Sequence, residues 1–250
     1  MNVALYGRGS ARWAMTERGA ASVRRDAIQL AIGPSAMAWD GGSLTVRLDE
    51  RATPLPWPVR GTVRVIPQAL SAQAFALDPA GRHLWQPVAT RARIEVNMRQ
   101  PGISWTGDGY FDHNRGAEPL EAGFRQWNWS RAHRRDDTAV LYEGVRKDGS
   151  PFNLALQVDR HGEAHAVEPP PPARLPPTTI WRMPRATRAD WGNVPRIQRT
   201  WEDTPFYSRS AIATRLWGEP CAAVHESLSL TRLNTRIVRG MLPYRMPRRP

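Results

Sequence analysis

The chain has 250 residues, 41% of them hydrophobic, with one cysteine and a mean hydropathy of −0.53. No apolar run approaches the roughly 18–20 residues of a membrane-spanning helix, and one cysteine excludes an internal disulfide or a Cys-x-x-Cys site. The net charge of +12 comes from basic residues scattered along the chain without a recognised nucleic-acid motif, so we predict no nucleic-acid partner but leave open an attraction to anionic lipid headgroups.

Short stretches of alternating apolar and polar residues recur along the chain and are typical of strands with one buried face. The glycine and serine within 16–30 argue against a helix there. Asp148-Gly149 separates two of the alternating stretches and predicts a hairpin turn. The pattern therefore predicts an all-β fold, with strands over Ser43–Asp49, Val59–Ile66, Arg91–Met98, Ala139–Val145 and Asn153–Val158.

A proline-dense stretch follows Glu168, with Pro169 to Pro172 and then Pro176-Pro177. Proline has no backbone N–H to donate, so this stretch predicts an extended connection that cannot pair as a central strand.

The common phosphate-binding and acyl-serine motifs are missing from the sequence. His161 and His165 have the spacing of half a metal site, but they lie in a turn-rich loop without a third ligand nearby in the sequence. We therefore predict no metal site and no cofactor.

Tryptophan is abundant, with eleven in the chain, and several lie two residues from another aromatic or ionisable residue. Residues two apart in a strand point to the same face. If those faces are interior, they form an aromatic cavity with one carboxylic acid and one imidazole; the alternative is a set of core tryptophans with a surface aspartate. The pairs are His83 with Trp85, Tyr110 with Asp112, and Trp127 with Trp129.

Several long segments, in order along the whole chain, closely resemble the acyclic carotenoid 1,2-hydratases, also called hydroxyneurosporene synthases. The central block consists of Tyr110–Glu121, Trp127–Ala132 and Thr138–Tyr142. The other segments are Asn2–Gly7, Trp13–Gly19, Gly33–Ser35, Glu202–Tyr207, His225–Leu230 and Met241–Pro247.

The resemblance implies two lipocalin-like antiparallel β-barrel domains, 1–118 and 119–250. Members of the family carry some tens of residues before the segment that matches Asn2–Gly7. Either the start codon lies further upstream, which we favour, or the first barrel is truncated at its N-terminus. The implied reaction is addition of water to the C1=C2 double bond at the ψ-end of neurosporene, lycopene or a derivative, giving a tertiary alcohol without a cofactor. The implied partners are this carotenoid and water.

The family's essential His-x-Trp and Tyr-x-Asp pairs match His83 with Trp85 and Tyr110 with Asp112. Hydration of an unactivated alkene needs an acid that protonates C2, and Asp112, held neutral by apolar surroundings, is the candidate. The faces of Trp85 and Tyr110, with Trp127 or Trp129 as further substrate-binding groups, would stabilise the cation.

The sequence does not decide the role of His83. This residue would orient or deprotonate the attacking water or reprotonate Asp112, and the roles of His83 and Asp112 could also be reversed.

Two other functions stay open: a non-catalytic lipocalin-type carrier of a carotenoid or another long apolar ligand, and a different reaction on a polyene. A hydratase would work in the cytoplasm at the inner, photosynthetic membrane in which its substrate dissolves. Peripheral contact with that anionic membrane is expected.

Overall fold

The computed structural model describes residues 1–7 and 9–249, and its secondary structure is 58% strand and 9% helix. Among the strand pairs of the described residues whose register is known, one short pair near the C-terminus is parallel and the others are antiparallel. This confirms the predicted all-β fold.

The first eleven strands are β1 (Asn2–Leu5), β2 (Arg12–Met15), β3 (Glu17–Arg18), β4 (Val23–Arg25), β5 (Gln29–Ile32), β6 (Ser35–Trp39), β7 (Leu44–Arg51), β8 (Pro58–Pro67), β9 (Phe75–Ala76), β10 (His83–Gln100) and β11 (Ile103–Gly116). The remaining strands are β12 (Phe124–His133), β13 (Asp137–Arg146), β14 (Pro151–Asp159), β15 (Ala164–Ala166), β16 (Pro172–Leu175), β17 (Arg185–Arg188), β18 (Arg196–Asp203), β19 (Tyr207–Leu216), β20 (Glu219–Ser229) and β21 (Arg248–Arg249). The α-helices are α1 (Leu120–Gly123), α2 (Leu230–Leu233) and α3 (Arg236–Arg245).

Each of the five alternating stretches forms a strand, which confirms the prediction made from their alternation of apolar and polar residues. The predicted hairpin joins β13 to β14: the Ser150 N–H donates to Asp148 Oδ1 at 2.8 Å, and Gly149 has a φ of +95° that favours glycine. The proline-dense stretch pairs only as β16, in a two-stranded sheet with β17. The side-chain cap and the glycine at the hairpin, and the prolines after Glu168, therefore account for the local structure of these two connections.

The chain divides into two compact units. The first contains 1–68, 92–110 and 239–250, and the second contains 69–91 and 111–238, so β10 and β11 contribute residues to both. The predicted boundary between lipocalin-like domains at 118/119 refers to a different division of the chain and stays a prediction.

In the first unit, one sheet has the strand order β11-β10-β8-β7-β6-β5-β4. Val59, Met98 and Leu48 are among its buried side chains. Gly109 lies against Ile94, where an added Cβ would stand 2.0 Å from Ile94 Cγ1. The glycine therefore lets the strands pack at a distance that a side chain would prevent.

A buried carboxylate on β7 organises the polar groups of this unit. Glu50 is 2% exposed and forms a bidentate ion pair with Arg18, at 3.0 and 2.9 Å. The hydroxyls of Ser35 and Thr16 donate to the same carboxylate, at 2.6 and 3.1 Å. Both oxygens of the buried charge are thus satisfied, as its removal from water requires.

The second unit is based on a seven-stranded sheet with the order β15-β14-β13-β12-β20-β19-β18. One face of this sheet carries a core of small and branched apolar residues. The core contains Ala132, Ala139, Leu141, Ala155, Leu175, Ile212, Leu216 and Ala223. The opposite face is aromatic and carries the candidate site.

His225 lies on the core face of β20, opposite Ser130 on β12 and Ser210 on β19. The ring is 1% exposed, and its Nε2 lies 2.7 Å from the Ala186 carbonyl oxygen. Burial lowers the pKa of His225 to about 4, although the contact with Ala186 acts in the opposite direction. The ring is therefore neutral in the folded protein at neutral pH.

Removing the charge of Glu50 should destabilise the first unit strongly. In Glu50→Gln, the guanidinium of Arg18 remains buried without its counter-charge, and we expect a loss of about 3 kcal/mol in the free energy of unfolding. Asp49→Asn is the matched control, because its partner Arg60 is 42% exposed and such pairs contribute at most about 1 kcal/mol. Urea titration measures both; equal effects would contradict a structural role for the buried pair.

The buried His225 should make the protein acid-sensitive between pH 6.5 and 4. In that interval the unfolded chain binds a proton that the native ring does not, so the free energy of unfolding falls as the pH falls. His225→Gln keeps a donor for Ala186 but does not titrate, and should lose about 2 kcal/mol less between pH 7 and pH 5 than the parent chain. His161→Gln, at an exposed position, should behave as the parent.

Candidate active site

The aromatic face of the second sheet is set by strand register. Trp129 on β12 pairs with Tyr142 on β13, Trp127 pairs with Gly144, and Gly144 pairs with Phe152 on β14. Directly paired residues in an antiparallel sheet share a face, as do residues two apart in one strand. The four aromatic side chains therefore project to one side, away from the small-residue core.

Tyr142 is the centre of this face. Its ring makes edge-type contacts with Trp85, Trp127 and Phe152, each with 5.7 Å between ring centroids. The interplanar angles of 88°, 72° and 61° place ring edges toward ring faces, the arrangement that the quadrupoles of aromatic rings favour. We call these four residues the aromatic cluster.

Trp85 connects the aromatic cluster to a carboxyl group. The side chain is fully buried on β10, and its indole Nε1–H donates to Oδ2 of Asp112 on β11 at 2.8 Å. Asp112 itself is half-buried. An indole has one donor and no acceptor, so this bond orients the carboxyl group and specifies which oxygen faces the tryptophan.

The charges around Tyr142 keep its phenol neutral. Burial raises the pKa of Tyr142, and negative charge on Glu226, or on Asp112 when it is ionised, raises it further. Glu226 on β20 pairs in register with Trp129, and Arg209 Nε donates to it at 2.8 Å. The site thus contains a second carboxylate, already paired with a cation.

The imidazole of His83, the first residue of β10, is fixed by a polar contact and by an aromatic contact. Its Nδ1 lies 3.3 Å from Oδ2 of Asp78, and its ring meets Phe124 edge-on at 4.9 Å between centroids. The side chain is 4% exposed. The imidazole therefore has a fixed orientation before any ligand arrives.

Two glycines make space for this imidazole. A Cβ on Gly123 would stand 2.6 Å from His83 Cε1, and a Cβ on Gly116 would stand 3.0 Å from His83 Cδ2. Neither glycine has a positive φ, so the packing space and not the backbone angle explains them.

The structure brings five of the six predicted site residues to this region: His83, Trp85, Asp112, Trp127 and Trp129. Trp129 is buried on the same sheet face, opposite Tyr142 in register. Tyr110 lies half-buried on β11 and belongs to the first unit. The assignment of these residues as functional stays a prediction.

Sequence reasoning missed residues that complete the site: Asp78, Phe124, Tyr142, Phe152 and Glu226. Tyr142 ends one of the segments that carry the family resemblance, and Asp78 begins an Asp-Pro-x-Gly turn, so each carried a local signal. No local pattern connects Glu226 to Tyr142, because they lie on strands far apart in the sequence.

The loop with the two histidines differs from the expectation in one respect. Its fold brings Asp159 and Glu163, and not His161, beside His165, with ligand atoms within 4.8 Å of one another. These groups are mostly exposed, and exposed acidic groups are common without an ion, so we propose no metal there. The predicted absence of a metal stays a prediction.

Comparison with known proteins gives consistent results. The family model "Carotenoid hydratase CrtC" matches residues 1–250. Acyclic carotenoid 1,2-hydratases of Thiocapsa roseopersicina and Rubrivivax gelatinosus are 49% and 45% identical over 99% and 100% of the chain, which spans 61% of the length of each. The corresponding protein of Cereibacter sphaeroides is 41% identical over 100% of the chain and 89% of its own length.

Two crystal structures share the fold, which is lipocalin-like. An AttH-type protein from Nitrosomonas europaea has a TM-score of 0.57 at 13% identity, covering 85% of this chain and 73% of its own. CghA with Sch210972 has a TM-score of 0.53 at 11% identity, covering 91% and 73%. At these identities the likeness concerns the fold alone.

Filling the space beside the imidazole should disturb the site. In Gly123→Ala the new methyl group overlaps the ring of His83, and we expect a loss of about 1–3 kcal/mol in the free energy of unfolding. Gly19→Ala is the control, since its Cβ meets nothing within 4 Å and its φ is −69°. Urea unfolding of both variants measures the two changes in stability. An unchanged free energy of unfolding in Gly123→Ala would contradict the tight packing of Gly123 against His83.

Proposed function

Because the chain belongs to the carotenoid hydratase CrtC family, we propose that it adds water to the C1=C2 double bond at the ψ-end of an acyclic carotene such as neurosporene or lycopene. The product is a tertiary alcohol, and the reaction is acid-catalysed. The observation that carries this proposal is the carboxyl group of Asp112, oriented by the buried indole of Trp85 beside the aromatic cluster.

Protonation is the difficult step, because an unactivated alkene is a weak base. A proton delivered to C2 leaves the positive charge on the more substituted C1. Asp112 is the proposed donor: in its protonated form, held by the hydrogen bond from Trp85 to Oδ2, it transfers its proton to C2. A fixed carboxyl orientation favours this step because less entropy is lost in aligning the carboxyl group with the alkene in the transition state.

The tertiary cation at C1 has no lone pair that a hydrogen-bond donor could engage. Aromatic faces stabilise such a charge through the ring quadrupole, by on the order of 1–2 kcal/mol for each ring in a dry site. The edge contacts between Tyr142 and its neighbours fix the ring orientations. Trp85, Trp127 and Tyr142 are the proposed rings, and Tyr110 and Trp129 are the remaining predicted site residues.

The same site is less suited to a simple carrier. A lipocalin-type carrier needs an apolar cavity, but it gains nothing from a carboxyl group held by a buried tryptophan beside that surface. The hydratase proposal therefore explains one more observation than the carrier does. Pigment binding without a hydrated product would identify a carrier.

The proposed partners are an acyclic carotene and water. The net charge of +12 supports peripheral contact with an anionic photosynthetic membrane from the cytoplasmic side. Within the part of the chain that the structure describes, no helix has the length and apolar character needed to cross a bilayer.

The test is expression of the chain in cells that accumulate lycopene, with chromatographic detection of 1-hydroxylated product. Asp112→Asn should lower the rate by about 1000-fold, since the acid is removed. Trp85→Phe keeps an aromatic ring but loses the donor to Asp112, and should lower the rate by about 10-fold.

Two substitutions serve as controls and should leave the rate unchanged. Asp148→Asn alters a fully exposed turn aspartate, and Trp105→Phe alters a tryptophan that is 48% exposed. Full activity in Asp112→Asn would overturn the role of this acid. Tight pigment binding without product from the unsubstituted chain would support the carrier instead.

A further inference from the structure

Asp78 lies in the turn before β10 and is built into it as a buried anion. The backbone N–H groups of Ala80 and Arg82 donate to Oδ1 at 3.0 and 3.2 Å, and that of His83 donates to Oδ2 at 2.7 Å. Burial acts to raise the pKa of Asp78, but these bonds and the His83 ring outweigh it and hold the pKa below its ordinary value. The group is thus an ionised carboxylate and accepts hydrogen bonds only.

This carboxylate determines the chemistry of the neighbouring ring. His83 Nδ1 lies 3.3 Å from Oδ2 of Asp78, and an acceptor-only partner requires the proton on Nδ1. In a neutral imidazole the other nitrogen, Nε2, then carries the lone pair. Nε2 is buried and has no hydrogen-bond partner among the described residues.

The other groups around the ring do not compete for this role. Phe124 contacts it edge-on, and Gly116 and Gly123 offer no side chain. In the same turn region Arg82 and Glu118 form an ion pair at 3.3 Å, so these two charges balance each other. Asp78 is therefore the group that sets the tautomer.

We propose that Asp78 is a positioning residue that keeps the His83 proton on Nδ1, so that Nε2 accepts a proton from the water that attacks the carotene. This inference rests on the proposed function and decides between the roles that the sequence leaves open: Asp112 is the acid and His83 the base.

The step balances. Asp112 gives one proton to C2, the water oxygen forms a bond to C1, and the resulting oxonium gives one proton to Nε2. The net change is addition of one water molecule. Return of the proton from His83 to the Asp112 carboxylate, through solvent, restores both groups for the next turnover.

The tautomer is measured without substrate by ¹⁵N NMR of the full chain at alkaline pH, where imidazoles are neutral. The His83 signals are assigned by their loss in His83→Gln. We expect a protonated Nδ1 and a bare Nε2. A proton on Nε2 would overturn the inference whatever the activity of the protein, because the tautomer is read from the unsubstituted chain.

The kinetic test is Asp78→Asn, whose amide offers the ring a donor as well as an acceptor. We expect kcat to fall by about 100-fold with KM nearly unchanged, together with loss of the single Nδ1–H tautomer. Asp159→Asn is the matched control, because Asp159 also caps a turn through two backbone N–H groups, from His161 and Glu163; it should keep the parental kcat.

The outcomes separate the two proposals. A folded Asp78→Asn with parental kcat would overturn the role of Asp78 and leave the hydratase proposal intact. An unsubstituted chain without hydratase activity would overturn the proposed function and the base role of His83, while the NMR result still decides whether Asp78 sets the tautomer.

Discussion

One buried indole joins the two chemical components of the site. Trp85 packs edge-on against Tyr142 and donates its single N–H to Asp112. A buried N–H without an acceptor is unfavourable, so the position of the carboxyl group depends on the position of the tryptophan. The acid and the aromatic surface are therefore held by the same side chain and cannot be displaced independently.

The second sheet separates packing from chemistry by its two faces. Small and branched residues such as Ala139 and Leu141 make the core on one side, while Trp127, Tyr142 and Phe152 project from the other. Strand alternation produces this separation at every second residue. A change of register by one residue would exchange the two sets, so the core that stabilises the sheet also specifies the aromatic face.

Three buried polar side chains, Glu50, His225 and His83, differ in how far their hydrogen-bonding capacity is satisfied. Glu50 is fully satisfied by a cation and two hydroxyls, and the cluster anchors β7. His225 is neutral and bonded through Nε2, and its buried Nδ1 has no partner among the described residues. His83 has a bonded Nδ1 and a buried Nε2 without a partner among the described residues. A buried polar atom without a partner needs a physical explanation, such as a bound water or a ligand.

The sequence by itself determined the all-β class, five of the strands, the hairpin at Asp148-Gly149 and the family, because alternation, turn chemistry and long motif segments are local. It also singled out His83, Trp85 and Asp112, whose spacing leaves a site and a packed core both open and whose site role the family resemblance implies. It did not pair Trp85 with Asp112, place Tyr142 at the centre, or connect Asp78 to the His83 ring. Only the tertiary structure decided these contacts, because strand order and register bring together segments whose separation along the chain has no period to detect.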